Sequence, residues 1–386
     1  VIDFRYHLVS IIAVFLALTV GLVLGTTMLQ DPLLNTLQSE TADLRGQSEE
    51  LRAERDDSEL LNTGADQFTD AVAADVLEDR LLDREVVLVA APGADEEVVQ
   101  ALGGRVEEAG ASVAGRVVFE EAFLDSGSAT FVDELALQVA VDPGDLSGNP
   151  YDKAGTALGH ALAAPDEADA EESETTEESE AVEDAEATEG RGRDNDDAEA
   201  EGAATEDPET GHDASAVLSA FSEGGLLTVE GSPAASADTL IVVAPASNAP
   251  EEDAERVNTA LTSLTAALHR QVGPTVLAGG ADSGRPGGVV ALARDQEPSH
   301  ATVDVVGRST GDVVAVLALA DSLDGSGSAY GIGEGVVGFL PDPLPGPVES
   351  AETAAEADAE ADAEAEAVAE SGNEDEARRR APRSGE

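Results

Sequence analysis

Residues 84–119 read REVVLVAAPGADEEVVQALGGRVEEAGASVAGRVVF. Val86–Ala90 is an apolar run without alternation, the pattern of a strand covered on both faces. Ala91-Pro92-Gly93 interrupts it, Asp95, Glu96 and Glu97 open a helix, and a second apolar run ends at Phe119. The same grammar returns at 238–268, DTLIVVAPASNAPEEDAERVNTALTSLTAAL, where an apolar strand is again followed by Ala-Pro and then by acids that begin a helix. Two such units are either an internal duplication or the shared grammar of α/β folds. Further strands are expected at 275–278 (TVLA), 288–293 (GVVALA) and 302–306 (TVDVV), with a helix over 310–322. Alternating strand and helix predict a mostly parallel, Rossmann-like sheet domain.

Outward from this domain the composition shifts. The 386 residues are 42% hydrophobic but only 3% aromatic, so the core must be built from Val, Leu and Ala. Formal net charge is −61, from 81 Asp and Glu against 20 Lys and Arg, and Lys153 is the single lysine. Such a surface repels phosphate backbones and argues against nucleic acid as a partner. Two segments carry much of the excess, about 22 acids in 164–213 and about 13 after Pro347, as solvated charge blocks do. They divide the chain into a first α/β part (83–163), a disordered acidic insertion (164–213), a second α/β part (214–347) and a disordered acidic tail (348–386). What remains is still acidic, which suits a salt-rich medium. Cysteine is absent, which excludes disulfides, thiolate metal sites and a Cys nucleophile.

Residues 1–30 contain a run from Leu8 to Leu29 without a charge, long enough as a helix to cross a bilayer core of roughly 30 Å. It exceeds a signal-peptide core and no cleavage site follows, so a permanent single-pass anchor is expected. Arg5 precedes the span, and Asp31 and Glu40 follow it before any basic residue, which favours a cytoplasmic N-terminus and an extracytoplasmic bulk. Ala13, Ala17, Gly21 and Gly25 recur every fourth residue. Small residues so spaced let two helices approach and point to a homo-oligomer, although an Ala- and Gly-rich run can show the same stripe by chance. Asp31-Pro32 reads as the start of a new helix, with a helical stalk over 31–80. Leu37, Leu44 and Leu51 fall seven apart, one seam of a short coiled coil; the companion seam of Thr41, Ser48 and Arg55 is poor, and a lone amphipathic helix is the alternative.

Few residues promise chemistry. Phosphate sites need free amides and positive helix starts, but Asp95–Glu97 and Glu251–Asp253 occupy both starts, so capping is the better account. GGADSGRPGG (279–288) lacks the phosphate-loop lysine, and neither a G-x-S-x-G motif nor a nearby histidine supports Ser283 as a nucleophile. Histidines 7, 160, 212, 269 and 300 never fall within metal-ligand spacing of one another, and Met28 is the only thioether. No catalytic or cofactor site is read, and the metal ligands stay unassigned. GSGSAYGIGEGVVGFLPDPLPGP (325–347) is the most distinctive distal stretch. It is either a glycine-rich final turn with an edge strand or a flexible recognition loop anchored by Tyr330 and Gly331.

FRYHLVSIIAVFLALTVGLVLGTTML, the leucine-spaced stalk and SAYGIGEGVVGFLPDP together resemble the actinobacterial copper transporter family named after mycobacterial copper transport protein B (MctB). The similarity covers most of 1–347, and the Val start then looks like an initiator from an alternative codon. The resemblance implies copper efflux or homeostasis in the cell envelope, with the cell membrane, or an outer membrane where there is one, as the location. Copper would be the transported ion; the family supplies no ligand motif to carry over. The residues themselves suit a second reading better, a non-enzymatic membrane-anchored scaffold that binds an envelope protein partner such as a cell-wall hydrolase or division protein through stalk and sheet domain.

Overall fold

A computed structural model describes residues 2–144, 146–165, 214–296, 298–325 and 327–348, with side chains left aside at 2–3, 26–37 and 251. The expected acidic insertion and tail therefore lie almost wholly outside the described residues. The chain divides into two compact units, 1–67 and 68–386.

The first unit lies within helix α1 (Ile2–Leu77). Its segment Phe4–Gly25 is 22 residues long with a mean hydropathy of 2.7, and none of it is buried. The helix runs without interruption through Asp31-Pro32, so no new helix starts there, contrary to the expectation from sequence. Proline removes one i→i−4 hydrogen bond, but the long helix-favouring runs on either side keep the helical path.

The second unit is built on a seven-stranded sheet in the order β3-β2-β1-β4-β5-β6-β7. Its strands are β1 (Glu85–Ala90), β2 (Ser112–Phe119), β3 (Leu227–Gly231), β4 (Thr239–Val243), β5 (Thr275–Ala278), β6 (Ala301–Val303) and β7 (Ala329–Tyr330). Every pairing is parallel except β2 with β3, so the mostly parallel sheet read from sequence is the observed one. Alternation within the strands feeds two cores. Val87, Val89, Val117, Leu240 and Val242 face one side, against α3 (Glu121–Leu124), α4 (Ala129–Val139), α5 (Pro150–Leu162), α6 (Ala214–Glu223), α7 (Glu251–Val272) and α8 (Val289–Asp295). Val86, Leu88, Ile241, Val243 and Val276 face the other, against α2 (Glu96–Glu108), α9 (Ser309–Ser322) and Ala73 and Leu77 of α1. Both faces are covered, which is why the strand sequences are continuously apolar. Arg105 of α2 bonds to Asp70, and the hydroxyls of Thr69 and Thr310 meet at 2.9 Å, so residues 68–77 are latched to the sheet domain.

One predicted strand is a helix. GVVALA (288–293) forms the start of α8, with Gly288 at its N-cap and Val289, Val290 and Ala293 buried on one side. A short apolar run satisfies either period, and here the i, i+1, i+4 set finds a core. The expected helix at 310–322 is α9, and of the strand at 302–306 the β6 portion is Ala301–Val303.

Candidate functional site

The order of strands reverses direction between β1 and β4, and ligands of open α/β sheets bind beyond the carboxyl ends of the strands at that point. The crevice there, between Pro92-Gly93 and Pro245, Ser247 and Asn248, has a volume of about 220 Å³. Its amides are used internally: Asn258 Nδ2 donates to the carbonyl of Gly287 at 2.8 Å and Asn248 Nδ2 to that of Asp282 at 2.9 Å. Asp95 caps α2 by accepting from the Glu97 N–H at 2.9 Å, as expected. Helix α7 differs, with Pro250 at its N-cap and no capping side chain; Asp253 in its first turn pairs with Arg256 at 2.9 Å. No basic residue is among the described residues lining the crevice, so nothing there offsets the carboxylates against a phosphate. Ser283 is buried in the turn after β5, its Oγ donating to the Gly280 carbonyl at 2.6 Å.

A second cluster sits at the β6–β7 side. Asp304, just past β6, is fully buried and accepts from Arg294 Nη1 at 2.7 Å and from the N–H groups of Ile332 and Gly333, each at 2.8 Å. Arg294 of α8 also donates through Nε to Thr302 Oγ1 at 3.0 Å and through Nη2 to the Tyr330 carbonyl at 2.9 Å. One ion pair thereby joins α8, β6 and the segment after β7. Gly331 has φ +125°, and a Cβ there would run into Asp304 Oδ1, so the glycine lets the backbone reach the carboxylate. Tyr330 itself is 4% exposed, and its hydroxyl donates to Asp321 Oδ2 at 2.7 Å. Burial, then Asp321, push its phenol up to about 12. The expected recognition anchor is therefore an internal residue, because pairing of β7 with β6 turns its ring into the core. Side chains that do stand out nearby are Ile332, Val337, Phe339, Leu340 and Leu344. Sequence reading missed Arg294 and Asp304; the one available signal was a lone acid inside the apolar TVDVV.

The structure also joins two histidines that sequence kept apart. His269, in the last turn of α7, and His300, immediately before β6, have ring centroids 5.9 Å apart with planes inclined at 56°. His269 Nδ1 lies 2.6 Å from the Gly273 carbonyl. A carbonyl only accepts, so Nδ1 carries the proton and Nε2 keeps its lone pair. His300 is 3% exposed and neither of its nitrogens has a hydrogen-bond partner among the described residues. Burial depresses both imidazoles, that of His300 to about 4, so both are neutral at pH 7. Among the described residues no group of three or more His, Cys, Asp or Glu gathers as a metal site. His7 and His160 are exposed, and His212 lies outside the described residues.

In the first unit, Ala13, Ala17, Gly21 and Gly25 are all exposed along α1, as are Leu44 and Leu51; the side chain of Leu37 lies outside the description.

Comparison with known proteins bears on the chain as a whole. The family described as "Copper transport outer membrane protein, MctB" matches residues 1–341. Proteins named "Copper transporter MctB" from Mycobacterium tuberculosis and Mycobacterium bovis are each 28% identical over 345 residues, 87% of this chain and 98% of theirs. The Mycobacterium leprae protein of that name is 28% identical over 348 residues, 86% of this chain and 97% of its own. The match spans apolar helix and sheet domain together, and the chain belongs to the MctB copper transport protein family.

Proposed function

We propose that the chain serves copper homeostasis as a membrane-anchored protein whose sheet domain lies on the extracytoplasmic side. The observation that carries this reading is the family match over residues 1–341, with relatives named for copper transport at 28% identity. Phe4–Gly25 supports the anchoring, and the placement of Arg5 against Asp31 and Glu40 supports the orientation. Protease accessibility in intact cells tests the orientation: digestion of the sheet domain is expected, and full protection would reverse it.

A single helix encloses no pore, so transport through this chain requires several copies. The stripe of Ala13, Ala17, Gly21 and Gly25 offers the contact. A Cβ at Gly21 or Gly25 meets nothing within 4 Å, so isoleucine there disturbs no contact within the protomer. Gly21→Ile with Gly25→Ile is expected to weaken crosslinking between copies; undiminished crosslinking would rule the stripe out.

The exposed apolar side chains between Ile332 and Leu344 favour a second reading, a scaffold that docks an envelope partner. Deleting the gene separates the two. Copper accumulation with normal septa supports copper homeostasis and sinks the scaffold, whereas unchanged copper with chained or lysing cells does the reverse.

A further inference from the structure

We propose that His269 and His300 form a two-imidazole site for a soft monovalent d10 cation, copper(I) or its mimic silver(I). This deepens the copper-homeostasis reading and rests on it for the identity of the natural ion.

A buried side chain with two unsatisfied nitrogens is costly unless something accepts its lone pair or its N–H. His300 is such a side chain, and the ring nearest to it in the structure is another imidazole. The two differ in a useful way. His269 is half-buried and its tautomer is fixed by the Gly273 carbonyl, the same arrangement by which metal-binding histidines present their other nitrogen as a lone pair. His300 lies inside, so an ion arriving at His269 would next meet His300. Two arms, each running from ring centre to nitrogen to metal, span roughly 6 Å when the metal–nitrogen bond is about 2.0 Å. The observed centroid separation of 5.9 Å falls within that span.

Ligand number and charge select the ion. Zinc in proteins takes four ligands, and hard divalent ions take six or more oxygens. Among the described residues no third His, Cys, Asp or Glu joins the pair, so a divalent ion would be left undercoordinated. The charged group that bears on His269 is Arg270, a cation directed to Asp152 at 4.0 Å, so a divalent ion would also meet repulsion rather than a counter-charge. A monovalent d10 ion is satisfied by two neutral ligands in line and brings half the charge. The chain has no cysteine and one methionine, Met28, so imidazole is the softest ligand available in the sheet domain.

The full chain in detergent micelles, kept anaerobic, is titrated with copper(I) against a chromogenic copper(I) chelator and, separately, with silver(I) while the histidine ring resonances are followed by NMR. One equivalent is expected to bind, with the resonances of His269 and His300 moving and that of His160 still. His269→Gln and His300→Leu should each weaken binding by more than about 100-fold, beyond the effect of an outer-shell change. His160→Leu should bind as the parent does. Should His300→Leu fail to fold, His269→Gln, at the half-buried position, decides alone. Parent-like binding by His269→Gln would overturn the site and leave copper homeostasis standing on another site. No binding of either ion by the parent would also overturn it, the two rings then holding water at most. Normal copper content in the deletion strain would sink the homeostasis reading even if the purified pair takes silver.

Discussion

A carboxylate and a guanidinium buried side by side are each tolerable only while the other is present. The Asp304 side chain is 0% exposed and that of Arg294 is 5% exposed, and Asp304 also takes two backbone N–H groups. Asp304→Ala leaves the arginine charge uncompensated and frees the segment after β7; a loss of about 3–5 kcal/mol is expected in urea unfolding of the sheet domain. Tyr330→Phe should cost far less, about 1 kcal/mol, because the ring still packs and the half-buried Asp321 can turn to water. Equal losses in the two variants would contradict the ion pair as the main tie. Tyr330 also predicts a pH dependence. Its folded value, about 12, lies above the unfolded value near 10, so the folded state holds the proton more tightly. The stabilisation is complete below about pH 10 and is lost as pH rises through 12, and the Phe variant should lose less over that window. Almost none of this was legible in the sequence. Asp304 was a lone acid in an apolar run and was passed over, Arg294 lay just beyond what read as a strand at 288–293, and the fold-back of Ile332 and Gly333 is a tertiary event with no local signal.

Elements were legible where they are long or carry turn chemistry, as with β1, α2, β4 and α7. Helix α8 was misread because the six residues from its N-cap, 288–293, have no length to display a period. Strand β3 and helix α4 went unseen, as did helix α5, whose Ala- and Gly-rich face gives weak contrast. Helix α5 shows what such a face is for. A Cβ at Gly155 would stand 2.6 Å from Ala267 Cβ and 2.8 Å from the Leu264 carbonyl oxygen, so α5 and α7 touch through the absence of a side chain. Gly155→Val should therefore cost about 1–3 kcal/mol or more by overpacking, since the obstructing oxygen is backbone. Thermal unfolding reads it out, and a Val variant as stable as the parent would mean that the helices can part without loss. A sequence pattern of small residues did point to close approach in α1, but in α5 the Gly155-x-x-x-Gly159 spacing passed as composition.

At the scale of the molecule, charge is the property that sequence states most completely and structure changes least. Outside the two acidic segments about 46 acids face about 14 basic residues. Those basic residues are largely engaged: Arg105 holds both Asp70 and Glu108, Lys153 meets Asp133 at 2.7 Å, and Arg256 and Arg294 have their own partners. Acidic residues therefore remain in large excess over basic ones. Their repulsion acts over distances that salt can screen, the Debye length falling from about 10 Å at 0.1 M to about 3 Å at 1 M. The local pairs lie within 4 Å and lose little by comparison. Raising sodium chloride from 0.1 to 1 M should therefore stabilise the sheet domain in the full chain. If relief of repulsion is worth about 1–2 kcal/mol, the midpoint rises by roughly 2–8 °C for a domain of this size. Screening depends on ionic strength, so sodium chloride and potassium chloride should act alike, with most of the rise complete before 1 M. A midpoint that stays flat or falls with salt would show that the carboxylates are already spaced widely enough to ignore one another.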